Sequence, residues 1–219
     1  SYSVEGGKTA VSKGGEAKVE VTNSYTRDLG KLELEKVIAG AKGDADLTDA
    51  QREQMVFTVT GPDNFTRTVK YSEFTDGKYM LEDLPTGEYT VVEEGADFFK
   101  NYSLNVSYGV TGGKTTVIKG GTAGVTVTNT YSQDVGSLEV KKTFADNALT
   151  EEQKAAVEFT VTGPNNYSAS KTYAEFVNGS WKLENLPVGE YTVTESNADV
   201  AGYTRRTSYS VEGGKTAVS

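Results

Sequence analysis

Residues 1–12, SYSVEGGKTAVS, return letter for letter as residues 208–219. Between them one series of motifs runs twice, in the same order. Gly30-Lys31-Leu32-Glu33-Leu34-Glu35-Lys36 is matched by Gly136-Ser137-Leu138-Glu139-Val140-Lys141-Lys142. Phe57-Thr58-Val59-Thr60-Gly61-Pro62 is matched by Phe159-Thr160-Val161-Thr162-Gly163-Pro164. Leu84-Pro85-Thr86-Gly87-Glu88-Tyr89-Thr90-Val91 is matched by Leu186-Pro187-Val188-Gly189-Glu190-Tyr191-Thr192-Val193. The second copy is four residues shorter in the loop around Ala39–Asp46. A chain that re-enters its own beginning reads as one period of a repeating array, which favours a stalk or filament over an enzyme.

Within each copy, apolar and polar residues alternate with the period of a strand. Leu32, Leu34 and Lys36 fall on one face, with Glu33 and Glu35 on the other. Tyr89, Val91 and Glu93 share a face, as do Val125, Val127 and Asn129. Asp76-Gly77 and Asn178-Gly179 read as tight turns, and Gly61-Pro62 and Gly163-Pro164 punctuate strands. Thr48-x-x-Gln51 and Thr150-x-x-Gln153 have the form of capping boxes and predict one short helical turn per copy. The fold class expected is all-β: two tandem immunoglobulin-like sandwiches. Residues 28–132 hold a whole unit, ending in Val125-Thr126-Val127-Thr128-Asn129-Thr130-Tyr131. Residues 133–219 form a second unit that lacks its last strand. The missing counterpart, Val19-Glu20-Val21-Thr22-Asn23-Ser24-Tyr25, stands at the other end, so residues 1–27 read as the closing strands of a preceding unit of the second type.

At 219 residues the chain suits two domains of about 100 residues each. A hydrophobic content of 36% supports thin sandwich cores and no large cavity. The net charge of −9 argues against duplex nucleic acid or an anionic membrane as partner. The absence of Cys and His removes thiol chemistry, Cys-based metal sites and His-based acid–base catalysis. No apolar run reaches transmembrane length and no signal peptide is read. No metal site or other cofactor is expected, since no Asp-x-Asp-x-Asp-Gly loop occurs.

Three positions break the apolar rule on the inward faces: Lys36, Glu93 and Asn129, with Lys142, Glu195 and Asn23 as their counterparts. A buried Lys or Glu without a partner costs several kcal/mol or is forced neutral, so the matching strand positions imply that amine, carboxyl and carboxamide meet. Patterning alone leaves two readings open. One is a buried Lys–Glu ion pair with Asn as hydrogen-bond partner; the other is a covalent cross-link.

Leu-x-Leu-x-Lys36, Leu84-Pro-x-Gly-Glu-Tyr-Thr-Val-Val-Glu93 and Val-Thr-Val-Thr-Asn129-Thr-Tyr, in this order and repeated, resemble the signature of collagen-adhesin B-type (Cna-B) domains, over nearly the whole chain. Such domains build stalks and pilins on Gram-positive bacterial surfaces. The resemblance implies an isopeptide bond between Lys36 and Asn129, promoted by Glu93, as a single self-reaction and not enzymatic turnover. It also implies an extracellular location at the cell surface or cell wall.

For the second unit the implied set is Lys142, Glu195 and an Asn23 that a whole unit separates from them. Two outcomes stay open: completion by residues 1–27 of a neighbouring copy, head to tail, or an exposed sheet edge. The first is the expectation, although neighbouring repeats of one longer chain would give the same geometry. The partners expected are therefore other copies or neighbouring repeats. A rival function is an adhesive module that holds a host protein or glycan through loops such as Phe98-Phe99-Lys100-Asn101-Tyr102. Gly112-Gly113-Lys114-Thr115 and Gly213-Gly214-Lys215-Thr216 end like phosphate loops, but Tyr108 and Tyr209 stand where the first Gly is needed, so turns are expected.

Overall fold

The computed structural model describes residues 6–7, 9–146 and 148–219. The alternating segments form strands. In the first half these are β1 (Leu29–Gly40), β2 (Val56–Thr60), β3 (Thr66–Lys70), β4 (Lys78–Pro85), β5 (Gly87–Glu94), β6 (Tyr102–Tyr108), β7 (Lys114–Val117) and β8 (Thr122–Gln133). In the second half they are β9 (Val135–Lys141), β10 (Glu158–Gly163), β11 (Tyr167–Thr172), β12 (Ser180–Pro187), β13 (Gly189–Ser196) and β14 (Lys215–Val218). Two six-residue helices, α1 (Asp49–Gln54) and α2 (Glu151–Ala156), begin at the two capping boxes. Thr48 Oγ1 accepts from the Gln51 amide and Gln51 Oε1 accepts from the Thr48 amide, so two otherwise unpaired donors of the first turn are satisfied.

In the first half, a sheet in the order β4-β1-β8-β6 faces a sheet in the order β3-β2-β5-β7. Leu32, Leu34, Leu81, Val125 and Val127 from one meet Phe57, Val59, Tyr89, Val91 and Val117 from the other in a single core. The first and last strands, β1 and β8, lie side by side and parallel, with Lys36 opposite Val127 and Ile38 opposite Asn129. Gly61 is required by close packing: a Cβ there would lie 2.3 Å from the Tyr89 ring, whose hydroxyl donates to the Pro85 carbonyl at 2.9 Å. Gly163 and Tyr191 repeat this contact.

Among the described residues, the second half repeats one sheet in full, β11-β10-β13-β14, but its other sheet has two strands, β12-β9. Sequence reading expects one absent strand; the structure lacks two. Residues 203–209, the counterpart of β6, are not a strand. The reason is pairing: β6 bonds only to β8, and nothing in the second half takes the place of β8. The same loss shortens β9. β1 runs for twelve residues and β9 for seven. The β1–β4 ladder ends at Glu35–Lys78 and the β9–β12 ladder at the equivalent Lys141–Ser180. One further bond, from the Lys36 amide to the Gly77 carbonyl at 2.8 Å, is repeated by Lys142 and Gly179; past it β1 is paired with β8.

Residues 19–25, expected as a closing strand, pair with no sheet of this chain, and Val19, Val21 and Tyr25 are 55%, 80% and 90% exposed. Residues 1–5 and 8 of the same expected segment lie outside the described residues. At the centre, Asp134 alone separates β8 from β9. Its amide donates to the Asn101 carbonyl, its carbonyl accepts from Val188, and its carboxylate accepts from Ser103. Asn101 in turn donates to the Val188 carbonyl. The junction is thus tied to loops on both sides.

Candidate functional site

Lys36 lies on β1, Glu93 on β5 and Asn129 on β8, so the three side chains come from both sheets and meet between them. Lys36 and Asn129 are the buried polar residues that stand among the described core positions, and the side chains of both Lys36 and Glu93 are fully shielded from solvent. Lys36 Nζ is 3.0 Å from Glu93 Oε1, and Asn129 Nδ2 donates to the same oxygen at 3.1 Å. Lys36 Nζ also approaches the Val127 carbonyl, its register partner, at 3.4 Å. Glu93 Oε2 and Asn129 Oδ1 are both buried without a hydrogen-bond partner.

Burial lowers the Lys36 amine to about 8, against the pull of Glu93 in the other direction. Burial raises the Glu93 carboxyl above its ordinary range, against the opposing effects of Lys36 and Asn129. Both shifts favour the neutral pair, an amine with a free lone pair and a protonated acid. A proton on Glu93 Oε2 turns one of the two unpaired atoms into a donor, while the Asn129 carbonyl oxygen is an acceptor that lacks one. The arrangement can therefore place a nucleophile and an acid on one carboxamide.

Around it, the Tyr131 hydroxyl donates to the Ala96 carbonyl, and the Phe99 ring meets the Tyr131 ring edge-on at 4.8 Å. Phe98 and Phe99 pack against the first core. The aromatics of the loop proposed for ligand capture are thus half-buried against the core beside this site. Sequence reading missed Tyr131 and Ala96 as site neighbours, although Tyr131 follows Asn129 by two residues and so shares its strand face.

In the second half, Lys142 Nζ is 2.6 Å from Glu195 Oε1, with side-chain exposures of 20% and 3%. Lys142 sits one residue past the end of β9. Thr207 Oγ1 donates to Glu195 Oε2 at 3.2 Å. A cavity of about 240 Å³ opens here, lined among others by Lys142, Phe144, Glu195, Ala198 and Tyr203. Asn23 is exposed and sits at neither site. Gly112 and Gly113, and likewise Gly213 and Gly214, form single turns with positive φ that lead into strands β7 and β14.

Residues 32–132 and 138–219 both match the family described as domain of unknown function DUF5979. The chain belongs to that family. No match is found among curated proteins. Among solved structures, the two DUF5979 regions are similar to the Bacillus anthracis TIE protein, with 25% identity over 87% of this chain and 31% of that one, at a TM-score of 0.44. A bacterial adhesin from Mobiluncus mulieris containing intramolecular disulfide, isopeptide and ester bond cross-links is 22% identical over 47% of this chain and 41% of its own, at a TM-score of 0.31. A single B repeat unit of the collagen binding surface protein of Staphylococcus aureus is 22% identical over 87% of this chain and 97% of its own, at a TM-score of 0.27. This chain thus spans less than half the length of the first two.

Proposed function

We propose that this DUF5979 chain is a mechanical element of a bacterial cell-surface stalk or filament, cross-linked by its own side chains. The observation that carries the reading is the dry meeting of Lys36, Glu93 and Asn129, with one carboxylate oxygen and one amide oxygen left unpaired. In the proposed reaction Lys36 Nζ attacks Cγ of Asn129 while Glu93 protonates the amide oxygen. A new C–N bond forms, the Cγ–Nδ2 bond breaks, and the proton lost by Nζ passes through Glu93 to the departing nitrogen, which leaves as ammonia. Glu93 is regenerated, and no outside reagent is consumed.

The topology gives such a bond a use. Because β1 and β8 are parallel neighbours, tension entering at Leu29 and leaving at Gln133 shears the whole β1–β8 ladder. A bond from residue 36 to residue 129 diverts that load through two short strand segments and leaves the core between them unstretched. Closing the same loop also constrains the unfolded chain, by about 4–5 kcal/mol in the chain-entropy model. Resistance to force and to proteolysis follows.

The second unit, with Lys142 and Glu195 paired beside an open cavity, is proposed to be completed by residues 1–27 of a neighbouring copy, which bring Asn23. The junction supports head-to-tail stacking. Thr86 donates to the Asp28 carbonyl as Val188 donates to that of Asp134, so half of the central junction is already present where the first unit begins. Intact-mass measurement under denaturing conditions tests the covalent step. The expected result is the chain mass less one ammonia, restored to full mass in Lys36→Ala. Full mass in the parent chain sinks the reading.

A further inference from the structure

We infer that Glu20 of one copy, set against Lys141 of the next, selects which unit the donor segment enters, with Lys18 against Glu139 adding to the seat; this rests on the head-to-tail reading above. The register comes from the first unit, where β1 and β8 show how such a strand seats. Glu33 is opposite Gly124, Leu34 opposite Val125, Glu35 opposite Thr126 and Lys36 opposite Val127. The sequence equivalences carry this over: Val19 falls opposite Val140, Val21 opposite Lys142, and Asn23 two residues further on. On the outer face, Lys18 falls opposite Glu139 and Glu20 opposite Lys141.

Outer-face register partners touch in this fold. Thr126 Oγ1 donates to Glu35 Oε2 at 2.8 Å across the β1–β8 pair. In the second unit both pairs so formed are of opposite charge. Lys141 is now 72% exposed, with its amine 3.4 Å from Glu139, and Lys18 is 84% exposed, 3.8 Å from Glu16. Seating the donor gives Lys141 a second carboxylate and flanks Glu139 with Lys18 opposite its other register partner, Lys182 on β12.

The first unit differs at one of the two seats: Glu33 matches Glu139, but Glu35 stands where the second unit has Lys141. Its seats hold Glu33 and Glu35, and β8 offers them only Gly124 and Thr126, both uncharged. A donor that displaced β8 there would set Lys18 against Glu33, as favourable as against Glu139, but Glu20 against Glu35. Like charges directly opposite on a sheet are unfavourable by the same order as unlike ones are favourable. Glu20 thus attracts the correct acceptor and penalises the wrong one, while Lys18 strengthens either seat alike. The inner face agrees. Val19, Val21 and Tyr25 are exposed in the lone chain, and the cavity beside Lys142 and Ala198 lies where Asn129 and Tyr131 sit in the first unit.

The test uses the whole chain with Asn23→Ala throughout, so that no covalent capture can occur and loss of the bond reading cannot be mistaken for loss of this one. Association is measured by sedimentation equilibrium for this parent, for added Glu20→Lys, for added Lys141→Glu, and for both together. Each single reversal is expected to weaken association about fivefold, and the double reversal to return it to within about twofold of the parent. A parent that does not self-associate overturns the proposal. So do singles equal to the parent, or a double as weak as the product of the singles.

Discussion

In the first unit Lys36 lies just past the β1–β4 ladder but still within β1, opposite Val127 of β8; in the second, Lys142 lies past the end of a strand that has one neighbour among the described residues. Both lysines keep a carboxylate at ion-pair distance. What differs is the ladder beyond the shared hairpin contact. β8 carries β1 on from Lys36 to Gly40, covers the amine, and delivers the amide. Without it the lysine is a fifth exposed and a cavity opens beside it. Chemistry at these sites is thus set less by the amine–acid pair, which is present twice, than by the strand that dries it.

The largest expected effect comes from Glu93→Gln. It removes the proton relay, so the chain keeps its full mass, and it strips the buried amine of its counter-charge. The first unit then loses the 4–5 kcal/mol of loop closure and about 3 kcal/mol more for the broken pair. Asn129→Ala loses the bond and the carboxamide's contact with Glu93 but keeps the Lys36–Glu93 pair. Its calorimetric transition for the first unit should fall by roughly 20 °C, while that of the second unit stays in place. A fall of only a few degrees in both variants would break the contrast between the units.

Acidity sharpens the contrast next. In Asn129→Ala both Lys36 and Glu93 stay free to titrate. The folded amine sits at about 8 and the unfolded one at 10.5, so the unfolded chain binds more protons between these values. Stability of the first unit should therefore rise as pH increases across that window and be lost as pH falls through 8, with a slope of up to about 1.4 kcal/mol per pH unit. Glu93 acts in the opposite sense: its raised folded value makes stability fall as pH climbs just above 4.5. In the parent chain the cross-linked nitrogen no longer titrates, and the alkaline rise should vanish. Urea titrations of parent and variant between pH 7.5 and 10 check this.

Most of the first site was legible in the sequence because strand alternation fixes which side chains face inward. Lys36, Glu93 and Asn129 each interrupt an apolar face that is otherwise regular, and the structure brings them together. The loss of strand structure at 203–209 was not legible in the same way. Tyr203-Thr204-Arg205-Arg206-Thr207-Ser208-Tyr209 has little alternation of its own, and its counterpart β6 is held by β8, for which the described residues of the second half hold no equivalent. The packing of Phe98 and Phe99 was not legible for a related reason: a sequence shows that a loop is apolar, but not that Tyr131 lies beneath it.

The smallest expected effect separates the two units most directly. The Tyr131 hydroxyl is buried and donates to the Ala96 carbonyl, so Tyr131→Phe should cost the first unit about 1 kcal/mol in urea unfolding. Tyr25 is its counterpart in the donor segment and is 90% exposed in the lone chain. In dilute solution Tyr25→Phe should therefore cost nothing measurable. In the head-to-tail assembly Tyr25 gains the neighbour's Ala198 carbonyl, which is as buried as Ala96, and the same substitution should weaken association about fivefold. A Tyr25→Phe chain that associates as tightly as its parent would mean that the donor does not reproduce the seat of β8. The likeness of the two sites would then stop at the lysine and its carboxylate.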